Sequence, residues 1–224
     1  MNKRRMMLMG LAGLWGVGQA GVLTFNVGAA IPDGIDPGLA DFQTVSGESV
    51  VTSLSVGLAI SGTGFGAFNG DLYVTLLHVP SSTWVVLVNR PGRDAGNDLG
   101  YLDNGMTVTL EAGGNDIHTY QTSSPAPSYG ASGELLGTWA ADGRSADPAS
   151  VLDTSPRTTS LNDFLGINPN GDWVLYAADL ESGGEAQLDS WTLNINQVII
   201  PEPGTVTLFA ALGLGLWASV RRRG

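Results

Sequence analysis

Six oxygen-bearing residues sit in loops where a hard cation could be held. Asp71 follows Asn69-Gly70, and Asp172 follows Asn170-Gly171. Asp103-Asn104 precedes Gly105, Asn115 precedes Asp116, and Asp179 closes an apolar run. Calcium takes roughly six to eight oxygens from carboxylates, amides and loop carbonyls, and glycine-rich loops can present all three. Asp71, Asp103, Asn104, Asp116, Asp172 and Asp179 are therefore the candidate calcium ligands. No Asp-x-Asp-x-Asp-Gly loop is present, so the pattern is not that of an EF-hand. The competing reading is that these side chains cap turns through their own backbone.

Other chemistry finds little support. His78 and His118 are the only histidines, there is no cysteine, and no Gly-x-Ser-x-Gly elbow occurs. A serine triad or a zinc site would need more. Hydrogen-bonded or partly exposed sheet histidines are expected. Trp173 and Trp191 lie in alternating strands and read as core. Trp84, Tyr101, Tyr120 and Tyr129 stand nearer turn signals, where a ring face could meet a sugar.

Between the two ends of the chain, residues 21–200 carry twenty acids against Arg90, Arg93, Arg144 and Arg157, a net charge near −16 without one lysine. That disfavours nucleic acid and anionic lipid head groups. Without cysteine the domain cannot be stapled by disulfides. Its stability must come from a core, helped by any metal it holds.

The pattern that positions these residues is β throughout. The chain has 32 glycines in 224 residues, about twice the usual share. Turn signals such as Pro32-Asp33-Gly34, Asn69-Gly70, Asn104-Gly105 and Asn170-Gly171 recur at short intervals. Strands are expected near 23–27, 50–60, 72–79, 84–89, 106–110, 135–140, 173–178 and 188–198. In the last, Trp191, Leu193 and Ile195 face one way and Ser190, Thr192, Asn194 and Asn196 the other. Segment 122–133 reads as a loop. Eight short strands predict an all-β fold, a jelly-roll-like antiparallel β-sandwich.

Two blocks carry a resemblance. The first runs Gly66-Ala67-Phe68-Asn69-Gly70-Asp71-Leu72-Tyr73-Val74-Thr75-Leu76. The second holds Gly171-Asp172-Trp173-Val174-Leu175, then Asp179, then Leu188-Asp189-Ser190-Trp191-Thr192-Leu193. Together they resemble the P domain (Homo B domain) of proprotein convertases and bacterial secreted proteases. The resemblance implies a jelly roll, and calcium at acids such as these. Tyr101-Leu102-Asp103-Asn104 is similar to the Phe-x-Asp-Asp stretch of bacterial members, with asparagine replacing one acid. Family members often carry a histidine before Gly-Asp-Leu, where Phe68 and Asn69 stand here. The protease that such domains follow has no counterpart in 180 residues.

Both ends read as addresses. Residues 1–20 have a basic start (Lys3, Arg4, Arg5), an apolar stretch and small residues at Gly18 and Ala20, a secretory signal peptide with cleavage after Ala20. Residues 201–224 begin Pro201-Glu202-Pro203, continue without charge from Thr205 to Val220, and end on Arg221-Arg222-Arg223 and glycine. As a helix, the sixteen uncharged residues would cover about 24 Å, short of a bilayer core of about 30 Å. Arginines snorkel to the cytoplasmic interface and lengthen the span. This order resembles the PEP-CTERM sorting signal of Gram-negative bacteria. The resemblance implies Sec export, transient membrane anchoring, recognition by an exosortase, and delivery to the cell surface or matrix.

The combined expectation is a non-catalytic exported protein with a structural or adhesive role in the exopolysaccharide layer. The alternatives are a calcium-dependent carbohydrate- or peptide-binding module and an accessory domain stabilising a secreted protease in trans.

Overall fold

The computed structural model describes residues 18–34, 37–63 and 66–198. The signal-peptide stretch up to residue 17 and the whole tail with its sorting motif lie outside the described residues. Among the described residues no helix is long and apolar enough to cross a membrane.

Ten strands form two facing sheets. They are β1 (Gly18–Ile31), β2 (Leu39–Val45), β3 (Val51–Thr63), β4 (Leu72–His78), β5 (Thr83–Asn89), β6 (Met106–Asp116), β7 (Ser128–Tyr129), β8 (Leu135–Ala140), β9 (Gly171–Asp179) and β10 (Glu185–Val198). The larger sheet has the order β1-β10-β3-β6-β8-β7, the smaller β2-β9-β4-β5. All pairings are antiparallel except β6 with β8, which run parallel from Met106 opposite Leu135 to Leu110 opposite Trp139. The expected antiparallel sandwich is thus β-sandwich-like with one parallel seam.

Period-two alternation builds the interior. Leu54, Val56, Leu58 and Ile60 of β3 and Leu188, Trp191, Leu193 and Ile195 of β10 turn inward and are almost fully buried. The phase of β10 is kept across a bulge between Leu188 and Ser190. Leu72, Val74 and Leu76 of β4 and Trp173, Leu175 and Ala177 of β9 face them from the smaller sheet. From Val85 to Asn89 β5 is buried on both faces, and segment 142–159 closes its free edge. Asp142 and Gly143 donate to the carbonyls of Leu87 and Val86, and the Thr159 hydroxyl accepts from the Val86 amide.

All eight expected strands are present. β2 is an additional strand whose alternation is inverted. Phe42 points outward and is 69% exposed, whereas Asp41 turns in and accepts a 2.7 Å hydrogen bond from Trp191 Nε1. The expected loop 122–133 contains the two-residue β7.

One glycine matters for the site. Gly70 lies in a 3-10 turn, Asn69–Asp71, against segment 99–101. Its amide donates to the Tyr101 carbonyl at 2.7 Å. A Cβ there would collide with the Leu99 carbonyl, so any side chain would push Asp71 out of place.

Candidate functional site

At the end of the sandwich where β9 finishes and β4 begins, backbone pairing gathers three aspartates. Leu72 pairs with Asp179, and Leu180 donates to the Asp71 carbonyl at 2.9 Å. Asp33 bridges to Asp179, and Gly34 donates to the Asp179 carbonyl at 3.0 Å. Asp71 is 5% and Asp179 1% exposed. Glu181 borders them. Among the described residues Arg90 is the cation paired with them, folded back by a positive φ of 49°. Its guanidinium donates to the Gly70 carbonyl at 2.9 Å and meets Asp71 at 3.7 Å and Glu181 at 3.0 Å. With every group ionised, four carboxylates face one guanidinium.

The charge balance fails at Asp179. Neither of its carboxylate oxygens has a hydrogen-bond partner, nor does Oδ1 of Asp33. Burial, with the charges of Asp71 and Asp33 beside it, pushes the Asp179 carboxyl up to about 7; the nearby Glu181 amide offsets part of this without hydrogen-bond geometry. Burial likewise raises Asp71 to about 6, against the pull of Arg90 and with Glu181 and Asp33 adding to the rise. Orphaned, buried, mutually repelling oxygens are the condition that a bound cation relieves. The donor set, all oxygen, suits calcium rather than a softer metal. Among the described residues no three acidic or histidine side chains already stand at metal-ligand spacing.

Of the six candidate ligands, the structure brings together only Asp71 and Asp179. The other four are engaged elsewhere, Asp116 as the turn cap expected of such residues and the rest in contacts between segments. Asp103 accepts from Tyr120 and Gln121, each at 2.7 Å. Asn104 accepts from the Ala67 amide and donates to the Ser132 carbonyl, both at 2.9 Å. Asp116 caps the 3-10 helix Ile117–Thr122 and pairs with Arg144 at 2.7 Å. Asp172 accepts from the Thr44 hydroxyl at 2.6 Å on the surface. Asp33, Glu181 and Arg90 complete the site but had no site role in the sequence reading. Asp33 was visible only as the centre of a Pro-Asp-Gly turn.

A second polar cluster is internal. His118 is fully buried. Its Nδ1 lies 2.9 Å from Asp142 Oδ2 and its Nε2 lies 3.0 Å from the Arg93 carbonyl. Both partners accept, so the ring fits best as a doubly donating imidazolium. Burial alone would lower its pKa. The Asp142 hydrogen bond and charge, helped by the Arg93 carbonyl, outweigh burial and the opposing Arg144, and hold it above the ordinary value. His78, packed 4.6 Å from the Trp173 ring, goes the other way. Burial lowers it despite the Asn170 carbonyl. Histidine resonances followed by NMR should therefore titrate on opposite sides of about 6.5. Two midpoints at that value would contradict these environments. Because His118 is raised, its stabilising contribution is complete below the unfolded value and is lost as pH rises through the folded one.

The aromatic residues separate as core and rim. Trp173 and Trp191 are fully buried, and Trp84 is 36% exposed. Tyr120, expected near a rim, is instead fully buried. Its hydroxyl donates to Asp103 and accepts from Asn69 Nδ2 at 3.1 Å, which turns the ring inward. A surface hollow of about 430 Å³ lies on the outer face of the larger sheet between Gly57, Thr109, Thr138 and Thr192, away from the carboxylates.

No family model matches the chain. No curated protein matches it either. Among solved structures, it is similar to a chain of the complex between Aeromonas sobria serine protease (ASP) and the chaperone ORF2. The identity is 14% and the TM-score 0.44, over 83% of this chain and 28% of that one. It is similar also to the serine protease of Aeromonas sobria, at 13% identity and a TM-score of 0.44, over 81% of this chain and 27% of that one. The chain thus spans little more than a quarter of either.

Proposed function

We propose that this chain is an exported, non-catalytic β-sandwich of the cell surface or extracellular matrix, braced by one calcium ion at Asp33, Asp71 and Asp179. The observation that carries the calcium reading is Asp179, buried with both oxygens unpartnered beside a second buried aspartate. The rest is carried by sequence. The Gly-Asp-Leu and Leu-x-x-Trp-x-Leu strands support a P-domain-like jelly roll. The Pro201-Glu202-Pro203 and Arg221-Arg222-Arg223 ends of the tail support sorting by an exosortase after Sec export, with transient anchoring in a membrane. In that setting the role is structural or adhesive, within an exopolysaccharide layer. Calcium there locks the start of β4, the end of β9 and the turn after β1 to one another, the task disulfides perform in other exported domains.

Thermal melting tests the calcium reading. At a hundredfold excess over its dissociation constant, calcium adds about 2.7 kcal/mol, or roughly 5–10 °C in a domain of this size. Asp179→Asn removes the uncompensated buried charge. In chelator it should melt at or above the parent protein, and calcium should no longer shift it. A parent midpoint indifferent to calcium would overturn the site.

A further inference from the structure

We infer that one end of the sandwich, the end from which the chain leaves β10, seats on the surface of a zwitterionic lipid bilayer. The inference rests on the reading of the tail as a membrane segment and adds a surface to it. Several connections meet at this end. Gln197 of β10 pairs with Val51. Val51 exchanges hydrogen bonds with the loop at 166–167, at 2.9 and 3.1 Å. Val45 pairs with Gly171, and Val79 donates to the Asp172 carbonyl at 2.9 Å.

Exposed apolar side chains collect here. Val50 is 38%, Val79 44% and Leu165 43% exposed, all on the connections just named. One step in, Phe42 pairs with Val174, Val174 with Leu77, and Leu77 with Trp84. Directly paired residues share a face, so these four form one row across the outer side of β2, β9, β4 and β5. At about 4.8 Å per strand, the row runs roughly 14 Å. Its ends, Phe42 at 69% and Trp84 at 36%, are open to solvent. An exposed phenylalanine and tryptophan beside aliphatic loop tips are the side chains favoured where protein meets the bilayer interface. At the opposite end the large exposed hydrophobics are Leu99 and Leu102 on a loop and Tyr129 on β7.

Chain length selects lipid as the occupant. Between Val198 and the uncharged run that opens at Thr205 stand six residues. Fully extended, the seven steps from Val198 to Thr205 reach at most about 25 Å. With that run in a bilayer, this end of the sandwich cannot stand farther off. Charge selects the lipid. Glu48, Asp163 and Asp172 lie on or beside these connections, against one neighbouring arginine, Arg157, which lines a hollow with Ser160 and Leu161, so the acidic excess would repel anionic head groups.

The absence of cysteine makes the test direct. The full chain is reconstituted in phosphatidylcholine vesicles with single cysteines at Val79→Cys, Leu165→Cys or Leu102→Cys, each carrying an environment-sensitive dye. Flotation with the vesicles reports on the tail. Quenching by spin-labelled lipid reports on the seat. Quenching at 79 and 165 should exceed that at 102 at least threefold. It should weaken in Phe42→Ser/Trp84→Ser and when a third of the lipid is anionic. Chains that float but show equal quenching at all three sites would overturn the seat and leave the tail reading intact. Chains that do not float would overturn both. Protection at 79 and 165 in a dimer without lipid quenching would assign the surface to a second copy and overturn the inference.

Discussion

Arg144→Met should destabilise the protein by roughly 3–5 kcal/mol, the cost of breaking a buried ion pair from one side. Arg144 holds three separate groups. One fork of its guanidinium grips Asp116 at 2.7 and 3.2 Å. Nη1 also meets Asp142 at 3.2 Å, and Nη2 donates to the Asp153 carbonyl at 2.9 Å. Its side chain is 5% exposed and that of Asp142 is fully buried. Methionine fills much of the volume and supplies no donor. It would leave Asp142 with His118 as its remaining charged partner, and Asp116 without any. Two distant stretches, 116–118 and 142–153, would keep only the His118–Asp142 contact of the side-chain ties described here. Urea unfolding measures the change, and a loss below about 1 kcal/mol would show that the network contributes little. Arg144→Lys keeps the charge but not the planar fork, so it should fall between the two.

The second large effect is expected at Trp173. Its ring is fully buried, packed at 5.1 Å from Phe164 and 4.6 Å from His78. Its Nε1 donates to the Pro169 carbonyl at 2.8 Å. Trp173→Ala empties that space and orphans the carbonyl, at a cost of roughly 3–5 kcal/mol. Trp173→Phe keeps most of the contact and loses the hydrogen bond, a cost nearer 1–2 kcal/mol. Equal losses for the two would mean that the hydrogen bond, rather than the packed ring, dominates. Neither substitution touches the carboxylates at the other end of β9, so both variants should keep their response to calcium.

The strands were legible because a half-buried strand must alternate, and β3, β4, β9 and β10 alternate cleanly. β2 was not, since it turns Asp41 inward and Phe42 outward, and the inward acid is supported by a tryptophan 150 residues away. The parallel seam between β6 and β8 was equally hidden. Strand composition carries no information on which neighbour a strand chooses, and segment 122–133 between them looked like loop. Trp173 and Trp191 were read correctly from their phase. Tyr120 was not, because hydrogen bonds from a 3-10 turn, which leaves no periodic trace, hold it inside. At the candidate site, Asp71 and Asp179 stood among the ligand candidates, but so did four residues already engaged in caps, loop contacts, an ion pair or a cross-strand bond. Local sequence cannot separate the two roles, because a loop aspartate looks the same in both. What separates them is the pairing of Leu72 with Asp179, over a hundred residues apart. That pairing places two acids where neither has enough partners and brings in Asp33 from a third segment.

Calcium binding measured directly by isothermal titration, on the full chain stripped of metal, bears most closely on this account. One ion per chain is expected, with binding abolished in Asp179→Asn and retained in Asp103→Asn, whose carboxylate is already engaged by Tyr120 and Gln121. Binding that persists in Asp179→Asn but disappears in Asp103→Asn, or no binding by the parent protein, would contradict it.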